Sequence, residues 1–520
     1  MMSPPARVDR ILLAAGIVVI ALELYIQCAA AGSGDRNYLL YAARMMLQGQ
    51  KLYTDILEPN PPLIFWLYLL PASLARYLPF SPQQMLVAFG FAVAGISTCA
   101  CMRLMAVHPA FDAKRRRMFG LLYLGVFITI NPDYFADREH LMMMLVLPYL
   151  LRRMPSLEGL NFSARLRFTV GVMAGIGFCF KPQMLLIFAL LQLLYILRER
   201  SLSPLLSLEN MLIYLIGLSY ISIVITCYPH YVKTIVPMAF ATYFAFSNKM
   251  AGLVFGGQAL LILGVTLADF RLGDRSPYRR DIMYFLAICG TLLLYALMGN
   301  GWGYTYTPLV QMLLVTTGWV GWEFGFLRRE AGTRGEPVRR FIFGARACAL
   351  NLAANAALSV LLPFYILLFY CNAQLACDGW GRELIAVVGP ARSFGTMSLT
   401  IDAWPRLSDA TGAVWLARCN LLWMIPRFMM GDAEFTASHR AILAYVADQF
   451  AKEMDQDRPA VMIVSNMYPY MNRRVDLPGY FKDFPAFRAA WAHYALAQVI
   501  HVCSHPERTQ CSYDVYRRKP

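Results

Sequence analysis

Apolar runs of about 12 to 23 residues recur along most of the chain, separated by short basic clusters. Runs of this kind suit a helical span, because in lipid no water is present to satisfy the backbone and the segment must close its own hydrogen bonds. Taken in order, the runs at 11–31, 85–107, 118–130, 140–151, 168–180, 182–197, 211–228, 253–269, 282–298, 307–326 and 348–370 predict about eleven transmembrane helices. Direction follows from the basic loops, since Lys and Arg accumulate on the cytoplasmic side. Arg7 and Arg10, the Lys-Arg-Arg-Arg run at 114–117, Arg152-Arg153, Arg198 to Arg200, and the clusters at 271–280 and 328–346 all fall on one side on one condition: residues 63–78 must not cross. That segment is near the lower length limit for a span, is interrupted by Pro71 and ends near Arg76, so it reads as a juxtamembrane helix. The N-terminus is then cytoplasmic and the C-terminal part lies outside. Ala29-Ala30-Ala31 has the small-residue character of a signal-peptidase site, but the run before it is long for a cleaved segment and reads as an uncleaved anchor.

The pattern changes after residue 370. Residues 371–520 are polar enough to fold in water, with short strands expected at 397–401 and 460–464 and an amphipathic helix at 438–454. The expected fold is therefore an all-α polytopic membrane module, residues 1–370 with a first outer loop at 32–84, followed by a small extracytoplasmic α/β domain, residues 371–520. No internal repeat stands out.

Composition agrees: with 58% hydrophobic and 15% charged residues among 520, a soluble enzyme is excluded. A net charge of +15 would ordinarily suggest nucleic acid. Here the cations sit in loops between apolar runs, so the expected partner is the lipid bilayer with its acidic headgroups, and no nucleic acid. The twelve cysteines show no Cys-x-x-Cys pair and no zinc spacing. Cys99, Cys101, Cys179 and Cys289 lie within apolar runs and read as small hydrophobes. Cys371, Cys377, Cys419, Cys503 and Cys511 fall in the polar C-terminal part, where a local disulfide such as Cys503 with Cys511 is open and an odd thiol would remain.

Within the membrane module, polar chemistry collects in the outer connections. The first, 35–62, carries Asp35, Asp55 and Glu58; the second, 131–140, carries Asp133, Asp137, Arg138, Glu139 and His140. Lys181 stands between two apolar runs with no other charge close in sequence, and 299–306 carries Trp302, Tyr304 and Tyr306. A charge at membrane depth costs roughly 2.5–3.5 kcal/mol, so its retention there points to a cavity or a site. A phosphate would satisfy Lys181, as would lipid headgroups reached by snorkelling. An aspartate near water is ionised at neutral pH, and can take a proton from a sugar hydroxyl or hold a cation through oxygen. Blander roles stay open: Asp35 as a helix cap after Gly32-Ser33-Gly34, Glu139 as a partner of Arg138 or Arg36, His140 as a structural residue, Trp302 and Tyr304 as an interfacial belt.

The pattern Asp35…Tyr38…Ala42…Gly49…Leu52-Tyr53…Asp55…Glu58…Asn60-Pro61-Pro62-Leu63 resembles the first outer loop of GT-C membrane glycosyltransferases. It looks closest to the lipopolysaccharide galacturonosyltransferase-like and dolichyl-phosphate-mannose mannosyltransferase-like branch. Asp137-Arg138-Glu139-His140 resembles the second acidic loop. Lys181, after Gly171…Gly175-Ile176-Gly177, resembles the lysine that meets the donor phosphate, and Phe484-Pro485-Ala486-Phe487…Trp491…Tyr494…Tyr513-Asp514-Val515-Tyr516 resembles the tail of bacterial members. The resemblance implies an inverting single displacement on the outer face of a bacterial inner membrane. The donor would be a polyprenyl-phosphate sugar and the acceptor a glycan, lipid or protein of the cell envelope, lipopolysaccharide among them. It implies Asp35 as catalytic base, with Asp137 and Glu139 as further acids, and Lys181 and Arg138 on the donor phosphate. Tyr38, Tyr53, Glu58, His140, Trp302 and Tyr304 would contact substrate. Many relatives carry Asp-Glu where this chain has Asp35-Arg36, so dependence on a divalent cation (Mg or Mn) stays open; some carry Gly where it has Pro182, a departure that bears on the role of Lys181. Two other readings stand beside transfer: a transporter or flippase of lipid-linked sugars, and a non-catalytic envelope assembly protein on the same scaffold.

Overall fold

The computed structural model describes residues 4–30, 32–109, 111–130, 132–181, 184–242, 279–298, 303–316, 318, 381–401, 404–416, 418–468, 473–501 and 512–520. The spans expected at 253–269 and 348–370, most of the one at 307–326, the domain boundary near 370, Trp302, and the pair Cys503 and Cys511 lie outside the described residues.

The helices follow the apolar runs, with α2 and α10 additional to them: α1 Pro4–Ala29, α2 Gly34–Leu47, α3 Leu63–Leu74, α4 Pro82–Met105, α5 Ala113–Ile128, α6 Arg138–Arg152, α7 Ala164–Phe178, α8 Leu185–Glu199, α9 Leu208–Cys227, α10 Val236–Thr242 and α11 Arg279–Met298. Among the described residues, α4 and α9 are long and apolar enough to cross a membrane, with 24 and 20 residues. The helix α3 has 12 residues and is therefore about 18 Å long, well short of a hydrocarbon core of about 30 Å.

By packing, the chain divides into two compact units. The first comprises Met1–Gly32, Gln84–Ser222 and Asn248–Leu367. Its helices approach closely where α7 has glycines. A Cβ on Gly171 would meet the Glu209 Cα of α9 at 3.0 Å, and one on Gly177 would meet Val146 Cγ2 of α6 at 2.6 Å. Small residues at helix contacts let backbones approach, which in lipid replaces the missing hydrophobic drive. At the Gly171 end of this contact, Glu209 accepts a two-pronged bond from Arg167, 3.0 Å on each oxygen, and Arg152 stands 3.3 Å away. A buried ring of hydrogen bonds joins Tyr149, Gln192 and Asn210 at 2.7–2.8 Å. Each side chain of that ring has its partners, as burial demands.

The second unit comprises Ser33–Gln83, Ile223–Ser247 and Leu368–Pro520. Its sheet contains β1 Ser393–Met397, β2 Val414–Leu416, β3 Val461–Ser465, β6 Tyr494–His501 and β7 Ser512–Arg518, in the order β2-β1-β3-β7-β6. The pairings β1–β2 and β1–β3 are parallel, while β3–β7 and β7–β6 are antiparallel. A small ladder of β4 Met467–Tyr468 and β5 Arg473–Arg474 stands apart. The amphipathic helix runs Arg440–Lys452 and the second expected strand is β3, but the first strand sits four residues earlier than the alternation at 397–401 suggested. The cause is local: Ser398 Oγ accepts the Thr400 backbone N–H at 3.0 Å, a turn that diverts the chain at the end of β1.

At the β2 edge, the Tyr41 hydroxyl of α2 accepts from the Trp415 N–H and donates to the Trp415 carbonyl, 2.9 Å in each case. One side chain thus satisfies both backbone groups of a buried edge residue, which would otherwise be orphaned.

Candidate active site

In the second unit, α2 opens at Ser33, whose Oγ accepts the Arg36 N–H at 3.2 Å. Ser33 is the cap, so Asp35 is not; it lies in the first turn, half-buried, where the helix dipole favours a carboxylate. Tyr38, one turn on, is 2% exposed, lies edge-on to Trp415 with centroids 5.8 Å apart, and has Glu58 and Asn420 beside its hydroxyl. Burial, reinforced by the Glu58 charge, holds that hydroxyl well above its ordinary pKa, so it stays protonated.

The loop after α2 is tied down at many points. Asp55 Oδ2 accepts the Lys51 N–H at 2.8 Å, and Tyr53 adopts the left-handed region at φ +70°. That conformation is costly for an aromatic residue. The Tyr53 hydroxyl donates to the Asn60 carbonyl at 2.6 Å, and its ring packs on Tyr231 at 4.4 Å and Tyr228 at 5.5 Å. Glu58 is buried: Oε1 accepts the Asn60 N–H at 3.0 Å and also the Asn60 side-chain amide, while Oε2 accepts Asn420 Nδ2 at 3.1 Å. Tyr38, Tyr53 and Glu58 are therefore built into the frame of this unit.

In the first unit, Asp137 caps α6 through Oδ1, which accepts the Arg138 N–H at 2.8 Å. The preceding Ala136 is left-handed at φ +58°, and its N–H donates to His140 Nδ1 at 2.9 Å, so His140 clips the turn that launches the helix. Gly90 of α4 makes room for this turn, because a Cβ there would lie 2.7 Å from the Phe135 ring.

Lys181, isolated in sequence, is not isolated in the fold. Its ammonium pairs with Glu139 Oε1 and donates to the Tyr295 hydroxyl of α11 at 3.0 Å; Tyr295 in turn donates to Glu139 Oε1 at 3.2 Å. The three groups close a triangle. Glu139 Oε2 lies 3.9 Å from Arg138 Nε, and Asp137 Oδ1 lies 3.7 Å from the same nitrogen. Tyr304 presents its ring to both cations, 5.2 Å from Lys181 Nζ and 5.5 Å from the Arg138 guanidinium carbon. The side chains of Asp137, Arg138 and Glu139 are at most 5% exposed and that of Lys181 is 19% exposed, so the cluster opens toward solvent mainly at the ammonium. Sequence reasoning brought forward Asp137, Arg138, Glu139, Lys181 and Tyr304, and the fold gathers all five. It missed Tyr295, whose only signal was a phenol near the C-terminal end of an apolar run, and it missed Asn420, which had none. Among the described residues, no group of three or more His, Cys, Asp or Glu is arranged to hold a metal ion.

No known family description and no curated protein matches the sequence. A solved structure does: ArnT from Cupriavidus metallidurans bound to undecaprenyl phosphate is similar over 97% of this chain and 97% of that one, with TM-score 0.51 and 14% sequence identity. That likeness establishes the architecture: the chain has an ArnT-like fold, mostly helical with a small C-terminal sheet.

Proposed function

We propose that the protein is an integral membrane glycosyltransferase of the bacterial inner membrane. It moves a sugar from a polyprenyl-phosphate donor to a cell-envelope acceptor on the outer face, with about eleven spans and a cytoplasmic N-terminus. The observation that carries this reading is the Lys181 triangle. An ammonium has three N–H donors; Glu139 and Tyr295 take two among the described residues, which fixes the nitrogen and leaves the third for an anionic oxygen. The shared fold supports the choice of anion, because the similar ArnT structure holds undecaprenyl phosphate.

In the proposed step the acceptor hydroxyl attacks the anomeric carbon from the face opposite the phosphate. Asp35 takes the hydroxyl proton as the new C–O bond forms. The bond from the anomeric carbon to the phosphate oxygen breaks, and the polyprenyl phosphate leaves with its electron pair. The negative charge on that oxygen is stabilised by Lys181 and Arg138. Configuration inverts because there is one displacement. Asp137 and Glu139 hold the two cations in place, and α3 lies on the outer membrane surface with its exposed Leu70 and Leu74 toward lipid.

The test is a reconstituted assay with radiolabelled polyprenyl-phosphate sugars that scores transfer and transbilayer movement separately. Asp35→Asn is expected to abolish transfer while leaving membrane insertion intact. Full transfer by that variant removes the proposed base, and movement without transfer by the wild type replaces the enzyme with a flippase.

A further inference from the structure

Resting on that reading, we propose that Asn420, in the C-terminal segment, is a positioning residue for Asp35. Trp415, Arg418 and Asn420 fasten the two parts of the first outer loop, α2 and the segment after it. The Trp415 backbone is held by Tyr41 of α2, the Arg418 carbonyl accepts the Leu57 N–H at 2.8 Å, and Asn420 donates to Glu58. The Arg418 side chain adds a bond to the Thr54 carbonyl at 3.3 Å and ion pairs with Asp457 at 3.3 Å and Asp55 at 3.7 Å.

Asp35 feels these anchors through one rigid element. Tyr41 lies six residues further along α2, about 9 Å up the helix axis. Tyr38 lies one turn from Asp35 on the same side of the helix, packed against Trp415 with its hydroxyl beside Glu58 and Asn420. A carboxylate that must meet a substrate hydroxyl within hydrogen-bond reach depends on how its helix is seated, and errors near 1 Å cost about a hundredfold in rate. Asn420 sets that seating on the side nearest Tyr38. The amide is 1% exposed and is itself oriented, because its Oδ1 accepts the Leu421 N–H at 2.7 Å, which forces Nδ2 toward Glu58.

The geometry permits a swap. Glu58→Gln alone puts an amide N–H₂ against the Asn420 N–H₂, and Asn420→Asp alone puts two carboxylates face to face. Together they restore the bonds named above with the donor and acceptor of the Glu58–Asn420 pair exchanged: the new amide oxygen still accepts from Asn60, the new amide nitrogen donates to the new carboxylate, and the other oxygen of that carboxylate still accepts from Leu421. In the transfer assay, each single substitution should lower kcat about tenfold or more, with KM for the lipid donor within about twofold. Each should also displace the acid limb of the kcat pH profile, which reports the base. The double variant should return to within about threefold of wild type with the original profile. Wild-type kcat and profile in both singles overturns the proposal. So does a double variant that keeps its wild-type melting temperature yet stays as slow as the worse single, because the Glu58 charge itself would then act on substrate. If the wild-type chain transfers no sugar, the functional reading fails, and amide hydrogen exchange across α2 still decides the coupling. Faster exchange in each single, reversed in the double, upholds it; unchanged exchange overturns it.

Discussion

Replacing Lys181 with Met removes one charge from a buried, self-balancing set and separates two contributions of that charge. Glu139 is 1% exposed and loses its closest cation; Tyr295 at 3.2 Å and Arg138 at 3.9 Å remain beside its carboxylate. Breaking a buried pair from one side costs about 3–5 kcal/mol, because the survivor is neither solvated nor compensated. The second loss appears with substrate. At about 4 Å and an effective dielectric of 20, an ammonium and a phosphate attract by about 4 kcal/mol, near three orders of magnitude in kcat/KM. Adding Glu139→Gln separates the two, because it removes the stranded carboxylate without returning the cation. Thermal unfolding in detergent should show a large drop for Lys181→Met, recovery for the pair, and a partial rescue of the single variant by acid, which protonates Glu139. Sugar transfer should stay low in both Lys181 variants, with Glu139→Gln alone as the reference. The reasoning is refuted if the double variant transfers sugar at the rate of Glu139→Gln, or if Lys181→Met melts with the wild type.

Three further outcomes can be measured. Glu453 is fully buried; a Cβ at Gly395 would lie 2.6 Å from its Oε1, and burial, then the nearby Asp457, pushes its pKa up to about 8 from an ordinary 4.5. The folded state therefore holds a proton that the unfolded chain releases from about pH 4.5 upward, so stability falls as pH rises from there to about 8, tenfold in the folding equilibrium per pH unit, and is level above. Glu453→Gln should flatten that slope in denaturant titrations between pH 5 and 9, and equal slopes would show that another group is responsible. Gly171→Ala drives a methyl into the α9 backbone, so despite a better helix former it should lose about 1–3 kcal/mol, seen as a lower melting temperature. Tyr41→Phe strips the Trp415 N–H and carbonyl of their partner, at about 1–3 kcal/mol for each buried group left unpaired, and exchange at the Trp415 amide should accelerate.

Elements whose cause is local were legible in sequence. The helices follow apolar runs, and α6 starts where Asp137 precedes a run, because a cap and a periodic face are both written within a few residues. The Lys181 triangle was half legible. A lone cation between apolar runs announces a partner, but Glu139 lies 42 residues away and Tyr295 lies 114 away, and only packing brings them together. The C-terminal part was read correctly as mixed α/β and incorrectly at β1, where Leu399 and Ile401 mimic strand alternation but Ser398 has already turned the chain. Least legible was the grouping of residues 33–83 with the C-terminal segment. It depends on single bonds such as Asn420 to Glu58, 362 residues apart, and on a tyrosine hydroxyl standing in for a neighbouring strand. No short-range pattern encodes either.

The closure of β2 by Tyr41 also sets a timetable. Trp415 leaves the ribosome 374 residues after the tyrosine that caps it. At about 5–20 residues per second, that is about 20 to 75 s during which α2 has no sheet to dock on. For that interval the aromatic face of α2 must be sheltered by something other than its final partner. A chain that stops before Trp415 never ends the wait, so a late truncation should look to the cell like a failure of α2, at the opposite end of the sequence from the lesion.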